Sequence, residues 1–179
     1  MKVVTAFLFS FCLFLSPATF SEDAYYEHKD WLWSSADTFN FAITTNSKDE
    51  LFGQFCYLDD QACYYMLNMR LDCEPGEIYP AMISAKSGTR KTNLVCSDFG
   101  EEPTFMLQPF DEIDNLVRTE SKFGLVVGLE SGQFKVSRFS LKGSTRMVSE
   151  MRAMTLKQIR NDSKARPKKK SKLPDGEYL

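Results

Sequence analysis

The sequence has a single histidine, His28, and this scarcity removes most of the usual catalytic arrangements. A Ser-His-Asp or Cys-His pairing would have to recruit His28 from the polar stretch near the start of the chain. Adjacent acids at 59–60, 101–102 and 111–112 point in different directions on a turn or strand. They therefore do not form the pair of facing carboxylates that a glycosidase needs. The sequence predicts a protein that is not an enzyme.

Sequence signals for metals and cofactors are also missing. Cys56 and Cys63 are separated by six residues, so the chain lacks the C-x2-C pair of a typical zinc site. Gly124, Gly128 and Gly132 recur at intervals suited to strands and turns, and they do not form a G-x-G-x-x-G phosphate loop. We therefore expect no cofactor and no bound metal.

The longest apolar run lies at the N-terminus and is short. Val3–Leu15 is a mostly apolar run of 13 residues between the basic Lys2 and a segment of small residues, 16–21. This is the pattern of a secretory signal peptide, and the run is too short to anchor the chain in a bilayer. We predict that residues 1–21 are a signal peptide, cleaved after Ala18 or after Ser21. The mature chain should then be periplasmic or secreted, with no transmembrane segment.

The cysteines outside the predicted signal are Cys56, Cys63, Cys73 and Cys96. In an exported chain, four cysteines indicate two disulfides, for which three pairings exist. Cys56 and Cys63 flank one predicted hairpin, whereas Cys73 and Cys96 end consecutive β-runs. The sequence therefore predicts the pairs 56–63 and 73–96.

The apolar pattern of residues 22–162 predicts a single α+β domain. Its main part should be an antiparallel sheet or sandwich of about seven strands, covered by two helices. The first helix is predicted over 111–121 with Asp111 as its cap, and the second from Ser144 to about Arg160 with Ser144 as its cap. The second helix carries a methionine stripe, which is typical of a core-facing side.

Three finer predictions concern the sheet. Trp31 and Trp33 should share one buried face of a strand. Pro80 cannot donate a ladder hydrogen bond, which predicts an edge or bulged strand over 78–85. The apolar parity changes within 133–141, which predicts a β-bulge near Ser137 or Arg138. The residues expected in the core are Phe41, Ile43, Leu125, Val127, Phe134, Val136, Phe139, Leu141, Val148 and Met151.

The C-terminal residues 163–179 lack any apolar period, so we predict a disordered tail. Its basic residues are Lys164, Arg166, Lys168, Lys169, Lys170 and Lys172. Residues 22–162, by contrast, carry a net charge near −7. Polybasic segments bind anionic surfaces, and for an exported protein these are anionic lipid, lipopolysaccharide or nucleic acid. The alternative is a solubilising tail, or one that contacts the acidic body of the same protein.

The order of landmarks in the chain resembles the invasion-associated locus B family. These landmarks are a leading tryptophan, a cysteine in a strand, another after a short hairpin, a later cysteine, and the run Phe139–Gly143 before a helix. The resemblance covers about residues 50–150 and departs from the family at Ser144, where Gly-Phe usually follows Leu-Lys. That family consists of small exported bacterial proteins that are β-rich and have no known cofactor or catalytic residues. The resemblance implies an exported, non-enzymatic role.

The function expected from the sequence is that of a non-enzymatic binding or interaction protein of the bacterial envelope or secreted fraction, with a host-directed role as one option. Its partner would be a protein or an envelope component, with anionic lipid or lipopolysaccharide bound through the basic tail. The alternative is a proteinaceous inhibitor of an exported enzyme such as a lysozyme. An exposed loop that fills a target cleft would favour the inhibitor, whereas an apolar groove or an open sheet edge would favour the binding protein.

Overall fold

The computed structural model describes residues 25–97 and 103–165, so the predicted signal peptide lies outside the described residues. These segments form ten strands and two helices. In chain order they are β1 (Tyr26–His28), β2 (Trp31–Ser35), β3 (Phe39–Thr45), β4 (Leu51–Tyr57), β5 (Ala62–Asn68), β6 (Ile78–Ala85), β7 (Gly88–Ser97), β8 (Thr104–Gln108), α1 (Phe110–Thr119), β9 (Lys122–Gly128), β10 (Phe134–Ser140) and α2 (Ser144–Ala165). The predicted mainly antiparallel fold with two helices is confirmed. The number of strands is ten instead of about seven, because every alternating segment, including the short β1, joins one sheet.

The sheet has the strand order β1-β2-β3-β4-β5-β8-β7-β6-β9-β10, and all its pairings are antiparallel. The first half, β1 to β5, is a run of consecutive hairpins. The second half contains β6 to β10. In the strand ladder, the two halves meet where β5 pairs with β8, through Met66 with Met106 and Leu67 with Phe105.

The sheet curls until its last strand meets the beginning of the first half. The indole Nε1 of Trp31 donates a hydrogen bond to the carbonyl oxygen of Ser140 at 2.9 Å. Lys48 Nζ donates to the carbonyl oxygen of Val136 at 3.3 Å. Both acceptors belong to β10, so the free edge of this strand is partly covered by side chains from the other half.

The concave face of the curled sheet packs against both helices and forms the core. Trp31 and Trp33 are buried there, as predicted. Six further core predictions are confirmed: Leu125, Val127, Phe139, Leu141, Val148 and Met151. The methionine stripe of α2 also faces inward, with Met147 and Met151 fully buried. The core predictions for Phe41, Ile43, Phe134 and Val136 are wrong.

The two incorrect core predictions in β10, Phe134 and Val136, follow from the β-bulge that is predicted from the sequence. The register of β10 with β9 is continuous from Phe134–Gly128 to Ser140–Lys122, so this ladder has no bulge. Ser137 and Phe139 face the core, which leaves Phe134 and Val136 on the outer face. Apolar side chains therefore occur on both faces of β10. This explains why the apolar alternation changes parity in the sequence although the strand has no bulge.

The two errors in β3 have a different cause. Its polar residues Asn40 and Thr44 face the core together with Ala42, while Phe41 and Ile43 are half-buried on the outer face. Asn40 Nδ2 donates hydrogen bonds to Thr155 Oγ1 at 2.9 Å and to Gln158 Oε1 at 2.5 Å. Because both partners belong to α2, the helix supplies acceptors for the buried amide nitrogen of Asn40.

The prediction of an edge or bulged strand over residues 78–85 is also wrong, because both ladders of this strand are continuous. This strand, β6, lies between β7 and β9 in the middle of the second half. The ladder with β9 covers only Ala81–Ala85, so Pro80 lies where β7 is the single neighbouring strand. The missing donor of the proline is tolerated because this end of β6 has one open side.

The helix boundaries correct both capping predictions. Asp111 lies inside the first turn of α1, Pro109 is the N-cap residue, and no side chain caps this end. Ser144 begins α2, but its hydroxyl lies within hydrogen-bond distance of two carbonyl oxygens, those of Val117 (2.6 Å) and Leu141 (2.8 Å). It therefore joins α2 to the end of α1.

The second helix continues to Ala165, more than one turn beyond the expected end near Arg160. Residues 163–165, the first residues of the predicted disordered tail, are therefore helical. The rest of the predicted tail, residues 166–179, lies outside the described residues. Within the described segments, neither helix is long and apolar enough to cross a membrane.

The two predicted disulfides are confirmed. Cys56 and Cys63 lie directly opposite each other on β4 and β5, with 4.0 Å between their Cα atoms. Cys73 and Cys96 join the segment before β6 to β7, with 5.9 Å between their Cα atoms. Each half of the sheet therefore contains one covalent link.

Candidate functional site

A groove with a volume of about 940 Å³ lies on the outer face of β6, β9 and β10. Ser84, Gly124 and Arg138 are cross-strand neighbours at its centre. Gly124 has no positive φ, and a Cβ added there would meet its nearest neighbouring atoms at 3.8 Å, which is an ordinary contact distance. The backbone does not require glycine at this position. The absence of a side chain at Gly124 makes the groove deeper at its centre.

The floor of the groove is largely apolar. Val126 and Val136 are cross-strand neighbours on the outer face of β9 and β10, and both are half-buried. Ala85, at the end of β6, also lines the groove. An apolar floor of this kind is typical of a site for a small molecule.

The rim of the groove carries four basic side chains: Lys86, Lys122, Arg138 and Lys142. All four are exposed. Within the described part of the chain, none of them forms an ion pair, and no Asp or Glu lines the groove. Because like charges surround a concave surface, the groove should attract an anion.

Two acids stand just outside the groove. Asp30 Oδ2 accepts a hydrogen bond from Ser140 Oγ at 2.5 Å, and Glu120 Oε1 accepts one from the backbone N–H of Ser87 at 3.0 Å. Hydrogen bonding from Ser87 holds the pKa of Glu120 below its usual value, so this carboxylate is charged at neutral pH. The two acids reduce the positive potential of the groove, and Asp30 also lines a neighbouring pocket together with Arg138.

This arrangement suits an anionic group attached to an apolar body. Lysine and arginine bind phosphate and carboxylate oxygens through charge-assisted hydrogen bonds. The apolar floor next to them offers burial to hydrocarbon. The groove thus combines the two kinds of surface that an amphipathic anion requires.

A second polar cluster lies on the concave side and joins both helices to the sheet. Asp114 Oδ1 accepts hydrogen bonds from Tyr65 Oη at 2.7 Å and from Arg152 Nη2 at 2.5 Å. Arg118 Nε donates to Asp114 Oδ2 at 2.8 Å, and Arg152 Nε donates to Gln54 Oε1 at 2.6 Å. The cluster therefore ties α1 and α2 to β4 and β5.

The titration of this cluster follows from its contacts. Burial alone would raise the pKa of Asp114, but hydrogen bonds from Arg118, Tyr65 and Arg152 outweigh it and hold the pKa below its usual value. Burial, together with the bond to Asp114, raises the pKa of Tyr65 well above its usual value. At neutral pH, Asp114 is charged and Tyr65 keeps its proton, so the cluster is a fixed structural link.

The disulfide Cys56–Cys63 closes an exposed hairpin loop. Asp59 and Asp60 lie at its tip and are exposed to solvent. The outer faces of β3, β4 and β5 next to this loop carry half-buried aromatic rings that contact one another: Phe39, Phe41, Phe55, Tyr57 and Tyr64. This loop is the feature of the described structure that fits the inhibitor alternative.

The sequence-predicted site residues that the structure describes lie apart from the groove. The four cysteines form the two disulfides. Lys164 is exposed on the last turn of α2. The remaining tail bases lie outside the described residues: Arg166, Lys168, Lys169, Lys170 and Lys172. Among the described residues, no three His, Cys, Asp or Glu side chains are grouped to hold a metal ion.

Comparisons with family models, curated proteins and solved structures find no significant match to this chain. The resemblance to the invasion-associated locus B family therefore stays a sequence-based expectation. The case for a function rests on the groove and its chemistry.

The sequence does not predict the groove, because its cations are far apart in the chain. Lys86 follows β6, whereas Lys122 and Arg138 belong to β9 and β10. They meet because β6 pairs with β9, although β7, β8 and α1 lie between these two strands in the sequence. The one local indication of the groove in the sequence is that Lys122, Gly124 and Val126 alternate along a strand and so share one face.

Proposed function

We propose that this protein is an exported, non-enzymatic binding protein of the bacterial envelope or secreted fraction, and that its basic groove binds an anionic ligand. The observation that carries the proposal is the set of four exposed cations around an apolar floor, none of them in an ion pair with a described residue. A surface cation that serves only solubility needs no concave apolar surface beside it. An apolar groove is also the feature that favours a binding protein over an inhibitor.

The export of the protein is supported by two observations. The two disulfides are typical of an oxidising compartment such as the periplasm or the exterior of the cell. The N-terminal pattern of residues 1–21 is that of a secretory signal peptide. In that compartment, anionic lipid and lipopolysaccharide are abundant phosphate-bearing partners.

The basic tail would add to this binding. Each lysine or arginine near an anionic bilayer contributes on the order of 1 kcal/mol. Lys164 and the five bases after it would therefore strengthen attachment to a membrane, while the groove selects the molecule that is bound.

A second candidate function is the inhibition of an exported enzyme such as a lysozyme. It is supported by the disulfide-closed loop that presents Asp59 and Asp60. A lysozyme assay with the wild-type chain and with Asp59→Asn/Asp60→Asn tests it directly. Inhibition that depends on these acids would favour this function over the groove-based one.

The experiment for the groove is co-sedimentation with vesicles that contain an anionic phospholipid, compared with purely zwitterionic vesicles. The chain from residue 22 to Ala165 is used first, because it keeps α2 and omits the later bases. The test variant is Lys122→Gln/Arg138→Gln. The matched control is Lys157→Gln/Arg160→Gln, which removes two exposed charges from α2.

We expect the groove variant to lose most of the anionic binding and the control variant to keep it. Binding should also weaken as salt increases, because exposed charges are screened beyond about 8 Å at physiological ionic strength. Restoring residues 166–179 should strengthen the binding of every form. Equal sedimentation of the groove variant and the wild-type chain would overturn the proposal.

A further inference from the structure

An exposed apolar strip continues from the groove along the outer face of the second half of the sheet. Met82, Val126 and Val136 are cross-strand neighbours on β6, β9 and β10. Phe134 lies two residues before Val136 on the same face of β10, opposite Gly128. The exposed fraction is 44% for Met82 and 70% for Phe134, which is high for such large apolar side chains.

Along β9 and β10 the polarity of this face changes in one direction, and Lys91 on β7, opposite Met82, is a further exposed cation beside the strip. Lys122 and Arg138 lie at the end of the sheet where β9 begins, together with the other two groove cations. Val126 and Val136 lie in the middle, and Phe134 lies where β9 ends at Gly128. Six residue steps at about 3.3 Å place roughly 20 Å between Lys122 and Gly128.

The apolar strip is not closed by its own side chains. A Cβ on Gly128 would meet the Phe134 ring at 3.9 Å, so this ring lies beside the glycine, and Phe134 itself stays largely exposed. On the first half of the sheet the aromatic rings of the outer face contact one another and are half-buried, as are Val126 and Val136, whereas Met82 and Phe134 are exposed. A contiguous apolar surface that is left exposed commonly marks a binding site.

We propose that the groove and the strip together bind one molecule of an anionic lipid, with its charged headgroup among the four cations and an acyl chain along Val126, Val136 and Phe134. This inference rests on the proposed function of the groove and names the class of its ligand. The charge of the headgroup complements the rim, and the chain covers apolar surface that water otherwise contacts. The depth left by Gly124 lets the chain pass from the headgroup site to the strip.

The test uses soluble probes that separate the headgroup from the chain. Butyl phosphate and dodecyl phosphate share one headgroup and differ in chain length, and dodecyl maltoside has the long chain without a charge. Binding is measured by titration calorimetry below the micelle concentration. We expect dodecyl phosphate to bind on the order of a hundredfold more tightly than butyl phosphate, which corresponds to burial of about half of the additional methylenes.

The strip variant is Met82→Thr/Phe134→Thr, which changes only exposed positions of β6 and β10. It should remove most of the preference for the long chain and leave the affinity for butyl phosphate unchanged. The control is Leu156→Gln, another exposed apolar side chain, which lies on α2. It should keep the full preference. Melting temperatures of all forms confirm that each one is folded.

The possible failures are distinguishable. Equal affinity for the two alkyl phosphates would overturn the lipid inference and leave the groove as an anion site. If the strip variant keeps its preference for the longer alkyl phosphate, the acyl chain binds elsewhere, and the lipid inference is also overturned. Tight binding of dodecyl maltoside that ignores Lys122→Gln/Arg138→Gln would contradict both the inference and the proposed function. Dimerisation lost in the strip variant would show that a second copy of the chain occupies the strip.

Discussion

Lys135 Nζ lies 3.0 Å from Glu50 Oε1 and joins β10 to the residue that precedes β4. Glu50 is almost completely buried, and its other carboxylate oxygen accepts a hydrogen bond from Asn46 Nδ2 at 2.7 Å. Lys135 Nζ also donates to the carbonyl oxygen of Met69, just after β5. One ammonium group thus connects the last strand to both ends of the β4–β5 hairpin.

Removal of this ammonium group should destabilise the protein. Lys135→Met leaves the Glu50 carboxylate buried without its cation and the Met69 carbonyl without a donor. We expect the free energy of unfolding to fall by about 2 to 3 kcal/mol, less than for a fully buried pair because Lys135 keeps part of its side chain in water. Urea unfolding measures this value. Arg70→Met, which breaks the exposed pair of Arg70 with Asp49, should change it by less than about 0.5 kcal/mol.

Stability should decrease in acid because two paired carboxylates have lowered pKa values. For Glu50, burial opposes ionisation, but hydrogen bonds and the charge of Lys135 outweigh it and hold the pKa below 4.5. The pKa of Asp114 lies below 3.8 for the reasons given above. Their contribution is present above these ordinary values and is lost as the pH falls through the folded-state values. Urea unfolding at about pH 6 and about pH 3 should show the loss, and Glu50→Gln should reduce it.

Leu125 tests the assignment of the core. It is fully buried at the centre of β9, so Leu125→Ala should lower the free energy of unfolding by about 2 to 5 kcal/mol. Phe134→Ala, on the neighbouring strand, should change it by less than about 0.5 kcal/mol because that ring is exposed. Chemical denaturation of the two variants distinguishes the two faces. A larger loss for Phe134 than for Leu125 would contradict the register described for β9 and β10.

The two disulfides should differ in their contribution to stability. Their sequence separations are 7 and 23 residues, and loop-closure entropy predicts about 2.5 kcal/mol for Cys56–Cys63 and about 3.5 kcal/mol for Cys73–Cys96. Paired Cys→Ala variants, unfolded in urea, measure the two values. A peptide map under non-reducing conditions checks the connectivity, and a peptide that joins Cys56 to Cys96 would refute it.

Filling the groove should weaken ligand binding without damaging the fold. Gly124→Val places a side chain at the centre of the groove, where a Cβ fits at ordinary contact distance. We expect the affinity for butyl phosphate to fall at least about tenfold, while the melting temperature changes little. Gly128→Val is the matched control, since Gly128 lies on the same face of β9 outside the groove. Equal loss of affinity in both variants would argue against the proposed headgroup position.

Much of the fold follows from local patterns in the sequence. The alternation of Leu125 and Val127 predicts the orientation of β9 correctly, and the spacing of the cysteines predicts both disulfides. The orientation of β3 is not predictable in this way. Asn40 faces the core because Thr155 and Gln158 of a helix distant in sequence accept its hydrogen bonds. A polar residue buried by a distant partner looks like a surface residue in the sequence.

The groove was beyond prediction for a related reason. Its cations are isolated in the sequence, and only the strand order of the sheet brings Lys86 next to Lys122 and Arg138. The basic tail, in contrast, is a cluster of basic residues close together in the chain, so it is evident from the sequence. Charge density along the chain and charge density on the surface are separate properties, and the second depends on long-range strand pairing.

The bond between Trp31 Nε1 and the carbonyl oxygen of Ser140 joins residues that are 109 positions apart. The hairpins of β2 to β5 pair neighbouring segments, so they can form with little loss of chain entropy. Contacts between distant segments form more slowly, because a long loop must close before they gain energy. We therefore expect refolding to proceed from the early hairpins towards closure of the curled sheet. The fluorescence of Trp31, which becomes buried against β10, should report on the late step.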